Sequence, residues 1–428
     1  MVKLAGRHPQ RGIPKNAWII VLCVTLLLVP AGALPENTVP AGDSLQDANH
    51  TGADRLSTGT DPGDRMTLPD NLAFPSIAYD NRSGTISKQY RFSFQQQNIS
   101  IQTNVSIAVY NGAKKSDKYV IAPPDTPKNL LAAGYYRAFA DDPRQEPFYA
   151  DLLNSFRALR AEHRYSDDEY LELIAAFVQS LPYDNETAVQ LVIPPRFPVE
   201  TAVEGTGDCD DKSVLLAGLL SREGYDVALL YFAPEHHMAV GIRNQSMSFH
   251  DTGYLYLETT SLSYIGAVPS HLLDTDPAPA AGSTPVRINI TSTPLVIRIG
   301  SGEKHYTSAA ETAYILEQKD AADAKVISLK AEIKNLSRMN QQPGASLIRD
   351  YNRYAEIHNF IVIHKDDRAG TYRYLRLGMT DQGQPLPAPV SRHSLWDAGS
   401  TCPGSFGTGT VSRIPLWCLW QNFCEIRR

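Results

Sequence analysis

The sequence predicts an α+β fold in which a helix that begins at a cysteine packs on an antiparallel sheet. An apolar helical pattern runs through residues 209–222 and starts at Cys209. Three segments with strand-like composition follow it with short links, at residues 226–232, 236–242 and 254–259. A helix followed by consecutive strands with short connections favours α+β over a parallel βαβ arrangement.

Residues 1–34 predict an N-terminal membrane anchor or signal. A run at residues 17–34 is uncharged and almost wholly apolar, about the length that spans a bilayer. Ala31-Gly32-Ala33 is typical of a signal cleavage site, which would give a secreted protein. The length of the run favours an uncleaved anchor. In both cases we expect the rest of the chain outside the cytoplasm, because the basic flank stays inside. That flank consists of Lys3, Arg7, Arg11 and Lys15.

Composition agrees with export and excludes a nucleic-acid-binding role. The net charge is −6 with both signs interspersed, so there is no basic patch for phosphates. Sequons of the form Asn-X-Ser/Thr predict a glycosylated extracellular surface. They begin at Asn49, Asn81, Asn98, Asn104, Asn185, Asn244, Asn289 and Asn335. Of the five cysteines, Cys209 has no near neighbour and is expected to be a free thiol.

The chain before Cys209 divides into three regions. Residues 35–75 are rich in Pro, Gly, Asp, Ser and Thr, which predicts a disordered spacer. Residues 76–140 are expected to form a small β-rich region with a turn near 95–98 and a change of alternation at Thr103. Residues 141–272 contain the cysteine helix and its strands. Two helices precede that helix, and the second opens with the capping box Ser166-Asp-Asp-Glu169.

The chain after the strands predicts a helical extension. Residues 273–300 read as a linker with one or two strands, and residues 301–378 as a helical hairpin broken at Pro343-Gly344. A further strand is expected at residues 370–378. The hairpin either packs on the preceding domain or mediates self-association, and both remain open. Residues 379–428 form an irregular tail whose Cys402, Cys418 and Cys424 can form a disulfide in an oxidising compartment.

Cys209 is the candidate nucleophile. At a helix start it faces unpaired N–H groups and the positive end of the helix dipole, which favour the thiolate. His237 lies on the following strand, with His236 on the opposite face. If the strands are neighbours, His237 and Glu258 share one face, and the first turn of the cysteine helix lies over that face. This would supply a nucleophile, a base and an orienting carboxylate.

Three acids beside the thiol complicate this hypothesis. Asp208, Asp210 and Asp211 oppose a thiolate unless they point away or pair, for example with Lys212. The segment lacks the later glycine and glutamate of a calcium loop, so we expect helix caps and first-turn acids. We expect no metal and no cofactor. A structural thiol, a structural histidine and a strand-end glutamate are the alternatives.

Three segments carry a family resemblance, namely GDCDDKSVLLAGLLSREGYDVALL, HHMAVGI and YLYLETT. Together they resemble the transglutaminase-like superfamily, most closely the microbial exported branch with its GDCxDK-type and HMAVG-type motifs. Two upstream segments, FVQSLPY and PPRFPVET, agree with it, and the resemblance covers residues 141–269. It implies a papain-like α+β fold.

The resemblance also implies the roles of single residues. Cys209 takes the place of the nucleophile, His237 that of the base, and Glu258 that of the acid, where many relatives have aspartate. The longer side chain of Glu258 loosens that geometry. Gln179 is a weaker candidate for an oxyanion donor, beside the backbone N–H of Cys209.

The function expected from the sequence is therefore an exported, membrane-tethered cysteine protease or acyltransferase. It would cleave or transfer the amide acyl groups of proteins or peptides through a thioester. The alternative is a cell-surface binding or assembly protein that keeps the fold without turnover. Nothing in the sequence separates hydrolysis from cross-linking, because these differ only in the acceptor.

Overall fold

The computed structural model describes residues 72–185, 194–269 and 287–377, together with two short strands, Trp18–Ile20 (β1) and Leu272–Leu273. The predicted cysteine-containing tail lies outside these residues, as does nearly all of the predicted anchor or signal and of the predicted spacer. The last residues of that spacer, 72–75, are described, and Ala73 there pairs with Ile121 instead of being disordered. No helix within the described ranges is long and apolar enough to cross a membrane. All described residues belong to one compact unit within Met1–Leu386.

A long β-hairpin opens the main described region, formed by Thr85–Phe94 (β2) and Gln97–Ser106 (β3). The turn lies at Gln95 and Gln96, whose φ angles of 48° and 61° are both left-handed. Two such residues suit a tight hairpin, because the twist of the turn matches that of the strands. The predicted turn is confirmed. The predicted change at Thr103 is wrong, since Thr103 is fully buried and continues the alternation.

The segment after this hairpin is mostly helical, which corrects the prediction of a small β-rich region. Ile107–Lys115 is a helix (α1), Val120–Ala122 is a strand (β4) that pairs with β1, and Lys128–Ala140 is a second helix (α2). The apolar pattern at the start of α1 is too short to separate helix from strand. The helix packs closely on the segment before β2. A Cβ on Gly112 would lie only 2.2 Å from the Ala78 carbonyl oxygen.

The two helices predicted before Cys209 are confirmed. After a short 3₁₀ turn at Pro143–Gln145 come Glu146–His163 (α3) and Asp167–Ser180 (α4). Both hydrogen bonds of the capping box at the start of α4 are present. The Ser166 hydroxyl accepts the Glu169 N–H at 3.2 Å, and the Glu169 carboxylate accepts the Ser166 N–H at 2.9 Å. This box fixes where α4 begins.

The central layer is an antiparallel sheet covered by the cysteine helix. Pro198–Glu204 (α5) and Cys209–Arg222 (α6) lead into it. Its strands are Asp226–Phe232 (β5), His237–Arg243 (β6), Tyr254–Leu257 (β7) and Leu295–Ser301 (β10). They lie in the order β10-β5-β6-β7, so the chain is α+β as predicted. Leu272–Leu273 (β8) and Arg287–Ile288 (β9) pair separately.

The predicted helical hairpin is confirmed as Ala309–Arg338 (α7) and Ala345–Ile363 (α8). The strand predicted at 370–378 is wrong, because Arg368–Leu377 forms a helix (α9). The Asp367 carboxylate accepts the Gly370 N–H at 2.8 Å and so acts as an unrecognised N-cap. The guanidinium of Arg368 pairs with Glu172 of α4 at 2.5 Å and with Glu311 of α7. The base of the hairpin therefore packs on the preceding domain, which was one of the two open alternatives.

Candidate functional site

Cys209 is the first residue of α6, and acidic residues organise this helix start. The Asp208 carboxylate accepts the Asp211 N–H at 3.2 Å, and the Asp211 carboxylate accepts the Asp208 N–H at 3.4 Å. Two of the N–H groups that a helix start leaves unpaired are thereby satisfied. Cys209 is a free, partly exposed thiol whose Sγ lies 4.0 Å from the His236 carbonyl oxygen.

The electrostatic environment of this thiol differs from the one expected. Burial, followed by the carboxylates of Asp208 and Asp210, raises the pKa of Cys209 well above its usual value. A hydrogen bond from the Met238 backbone N–H acts in the opposite direction but is weaker. The helix start therefore does not produce a resting thiolate. The thiol is protonated at neutral pH and needs a base when it reacts.

His237 lies at the end of the sheet, directly after a left-handed residue. His236 has a φ of 48° and closes the connection between β5 and β6. His237 opens β6 opposite Phe232, and the two rings stack with centroids 6.2 Å apart. His237 Nε2 lies 3.0 Å from Tyr256 Oη and 3.4 Å from Glu258 Oε2. The predicted pairing of His237 with Glu258 is thus present, with a tyrosine beside it.

Glu258 follows β7 and is only 2 % exposed. Its Oε1 accepts the N–H groups of Thr259 and Thr260 at 2.9 and 2.8 Å and the Thr260 hydroxyl at 2.6 Å. Its Oε2 accepts the Tyr256 hydroxyl at 2.6 Å. Burial alone would raise its pKa, but the hydrogen bond and charge of His237 and these hydroxyl donors outweigh burial and lower it to about 2. Glu258 is therefore a fixed anion whose hydrogen bonds orient it.

The face on which α6 packs corrects the sequence-based expectation. His237 alternates with Met238, and Met238 and Val240 share a core with α6. Tyr256 lies on the other face, with Phe232 and Ala239. The cysteine helix therefore does not lie over the face that carries His237. Its first turn meets β6 at the start of the strand, where Cys209 Sγ lies 4.0 Å from the His236 carbonyl oxygen.

Hydrogen bonds hold that junction together. The Ser213 hydroxyl of α6 donates to the Met238 carbonyl oxygen at 3.1 Å. It also lies 3.0 Å from the hydroxyl of Thr259, the residue after Glu258. One side chain on the second turn of α6 thus contacts the segments that carry His237 and Glu258. This fixes the register of α6 against both segments.

The structure places Gln179 near the site but in another role. Its amide nitrogen donates to the carbonyl oxygens of Glu258 and Ser263 at 2.8 and 3.1 Å. An amide nitrogen has two N–H donors, so none remains for an oxyanion. The oxyanion role expected for Gln179 does not fit this geometry. Gln179 instead ties α4 to the segment that carries Glu258.

The sequence suggested Lys212 as a partner for the acids near Cys209, but Lys212 does not pair with them. Lys212 is fully buried and points to carbonyl oxygens at the end of α4. The partner of Asp211 is Arg196, whose Nη1 lies 3.1 Å from Asp211 Oδ2. The carboxyl oxygens of Asp208, Asp210 and Asp211 lie within 4.8 Å of one another, a spacing that a metal ion can use. However, two of them serve the capping box, and Asp211 already has a cation, so the donor set fits a helix cap better than a metal.

Two features of the described residues were missed from the sequence. Tyr256 joins the His237–Glu258 pair, and its position two residues before Glu258 places both side chains on one face of β7. A tyrosine two residues before the glutamate could therefore have indicated this contact from the sequence. The second is Asn244, which is only 8 % exposed. Its amide donates to the Tyr306 carbonyl oxygen at 2.7 Å and accepts from the Met247 N–H at 2.7 Å. This sequon is therefore unavailable to a glycan in the folded protein.

No family model matches this chain, and no curated protein matches it either.

Proposed function

We propose that this protein is a cysteine-dependent acyl hydrolase or acyltransferase with a transglutaminase-like, papain-like core. The single observation that carries the proposal is the junction of His237, Tyr256 and Glu258 beside the first turn of α6, which bears Cys209. Such a set combines a sulfur nucleophile, a base and a buried anion. The resemblance of the three sequence segments supports the same assignment.

The proposed reaction begins from a neutral thiol. As Sγ attacks an amide carbonyl carbon, the thiol proton moves to His237 and the negative charge of Glu258 stabilises the resulting imidazolium. The tetrahedral intermediate then collapses, the C–N bond breaks, and the leaving amine takes the proton from His237. A thioester remains on Cys209. Water or a second amine attacks it, which gives hydrolysis or transfer.

The backbone N–H of Cys209 is the proposed oxyanion donor. N–H groups at a helix start point out of the helix, and the capping box uses those of Asp208 and Asp211. The N–H of Cys209 lies next to the sulfur, so it meets the carbonyl oxygen under attack. This contribution comes from the backbone, so no side chain is required in that role.

Turnover of peptide substrates tests the proposal. A peptide library is incubated with the protein, with and without a labelled primary amine, and products are identified by mass spectrometry. Cleaved or amine-labelled peptides are expected from wild type and not from Cys209→Ser. His237→Asn should abolish them, whereas His236→Asn should not, because the His236 side chain is exposed and asparagine tolerates its left-handed φ. Equal activity of the two histidine variants would refute the assigned base.

A second candidate function is a binding or assembly protein without turnover. The observation that favours it is the raised pKa of the Cys209 thiol, caused by burial and by the carboxylates of Asp208 and Asp210. A protein of this kind would give no product with any peptide, and Cys209→Ser would leave its partner binding unchanged. The same incubation therefore separates the two functions.

The cellular setting is also part of the proposal. An apolar N-terminal run with a basic flank supports export and anchoring to a membrane, with the catalytic unit outside the cytoplasm. Exposed sequons such as Asn98 and Asn335 support a glycosylated surface. Self-association through α7 and α8 remains a further prediction. Sedimentation of the purified protein at increasing concentration tests it.

A further inference from the structure

Tyr256 provides a shorter link between His237 and Glu258 than their direct contact. The direct distance from His237 Nε2 to Glu258 Oε2 is 3.4 Å, longer than most N–H···O hydrogen bonds. The path through the tyrosine has steps of 3.0 Å and 2.6 Å, both within the normal range. The better hydrogen-bonded connection therefore runs through the Tyr256 hydroxyl.

The ring of Tyr256 is held in place by other aromatic rings. The residue is 1 % exposed. The Phe249 and Phe232 ring centroids lie 5.7 and 6.1 Å from its own, and Phe232 also stacks on His237. A buried ring packed in this way has little freedom to move its hydroxyl. The position of Oη between the two partners is therefore a fixed feature of the fold.

The direction of each hydrogen bond follows from the available protons. An ionised Glu258 can only accept, and Tyr256 has a single proton to donate. The 2.6 Å contact places that proton on the Glu258 side, which leaves only lone pairs of Oη facing His237. Both oxygens near Nε2 are then acceptors, so Nε2 must carry the hydrogen. The neutral ring consequently has its free lone pair on Nδ1.

We propose that Tyr256 is a positioning residue that holds His237 in the Nε2–H tautomer and leaves Nδ1 as the base for Cys209. The hydroxyl bridges the gap that remains between the imidazole and the carboxylate of Glu258. The consequence of this tautomer for catalysis rests on the proposed function, but the assignment of the tautomer does not. Tyr256 does not contact the substrate in this role.

Tyr254 offers a matched control on the same strand. Its hydroxyl also donates to a buried carboxylate, that of Asp226, at 2.9 Å. Tyr254→Phe and Tyr256→Phe thus each remove one buried tyrosine–carboxylate hydrogen bond from β7. A loss of stability should be similar for both. Only Tyr256→Phe removes a partner of His237.

The test uses ¹⁵N NMR of the neutral histidine rings of the full chain, with the signals assigned through His237→Asn. Wild type and Tyr254→Phe should show protonated Nε2 and unprotonated Nδ1. Tyr256→Phe should show a mixture of tautomers, because only the long contact to Glu258 remains. Alkylation of Cys209 by iodoacetamide at neutral pH should also slow about tenfold, a part of the ~10²–10⁴ that a general base contributes.

The outcomes separate this inference from the proposed function. An Nδ1–H tautomer in wild type would overturn the inference without any variant, and so the test does not depend on Tyr256→Phe folding. An unchanged tautomer and alkylation rate in Tyr256→Phe would overturn it as well. If the tautomers behave as expected but no peptide is turned over, the inference stands and the proposed function fails.

Discussion

Lys212 Nζ lies 2.7 Å from the Leu181 carbonyl oxygen, in the interior of the protein. A second contact joins Nζ to the Gln179 carbonyl oxygen at 3.3 Å. Burial lowers the pKa of Lys212 to about 8, against the opposing charge of Glu258. A cation on the first turns of α6 thus meets the negative end of α4, as the helix dipole favours. This contact positions α6 against α4, the helix that carries Gln179.

Lys212→Met should therefore destabilise the fold. Methionine fills a similar volume but leaves the buried carbonyl oxygens without a donor, which costs about 1–3 kcal/mol. Urea unfolding followed by circular dichroism measures the difference. Lys325 is exposed on α7, so Lys325→Met should change the unfolding free energy by less than about 0.5 kcal/mol. Equal effects of the two substitutions would contradict the assigned contact.

Asp208→Asn should increase the reactivity of Cys209 at neutral pH. Asparagine caps a helix as well as aspartate does, so α6 should remain intact. The substitution removes a carboxylate that raises the pKa of the thiol, so that pKa should fall. We expect the pH profile of iodoacetamide labelling to move to lower pH. Asp251 is exposed, so Asp251→Asn should not shift the pH profile of labelling. If Asp208→Asn does not shift the profile either, this electrostatic effect is excluded.

Glu258 should make the fold sensitive to acid. Its pKa is about 2 in the folded protein and 4.5 ordinarily, so the unfolded chain binds its proton first as the pH falls. The resulting stability is present above about pH 4.5 and is lost toward pH 2, an amount of about 3 kcal/mol. Unfolding free energies measured at several pH values should fall less steeply in this window for Glu258→Gln.

The control for this acid effect is Glu303→Gln, because Glu303 is exposed. That variant should reproduce the wild-type slope. If Glu258→Gln also keeps the wild-type slope, Glu258 is not the stabilising anion.

Asn244 should stay free of glycan when the protein is made with a secretory leader in a glycosylating cell. Its side-chain amide is buried, and both its nitrogen and its oxygen are hydrogen-bonded. Asn98 and Asn335, in contrast, are exposed. Glycopeptide mapping should find glycans at the exposed sites and an unmodified Asn244. A glycan on Asn244 in folded protein would show that the 244–247 segment opens.

The sequence determined the local elements that depend on residues close together in the chain. The capping boxes at Ser166 and Asp208 and the helical period fixed where α4 and α6 begin. Alternation predicted the strands that carry His237 and the tyrosines of β7. Short links between consecutive strands then predicted the α+β class. Cys209, His237 and Glu258 could be selected as candidate residues because their segments have distinct sequence patterns.

Only the tertiary structure decided how these elements meet. The helix at Ile107–Lys115 and the one started by Asp367 have weak local signals and depend on contacts with distant segments. The face of the sheet that α6 covers follows from packing, which a single sequence does not specify. The same holds for the raised pKa of Cys209 and the bridging hydroxyl of Tyr256. Burial and the distances between distant groups set both, and these exist only in the folded chain.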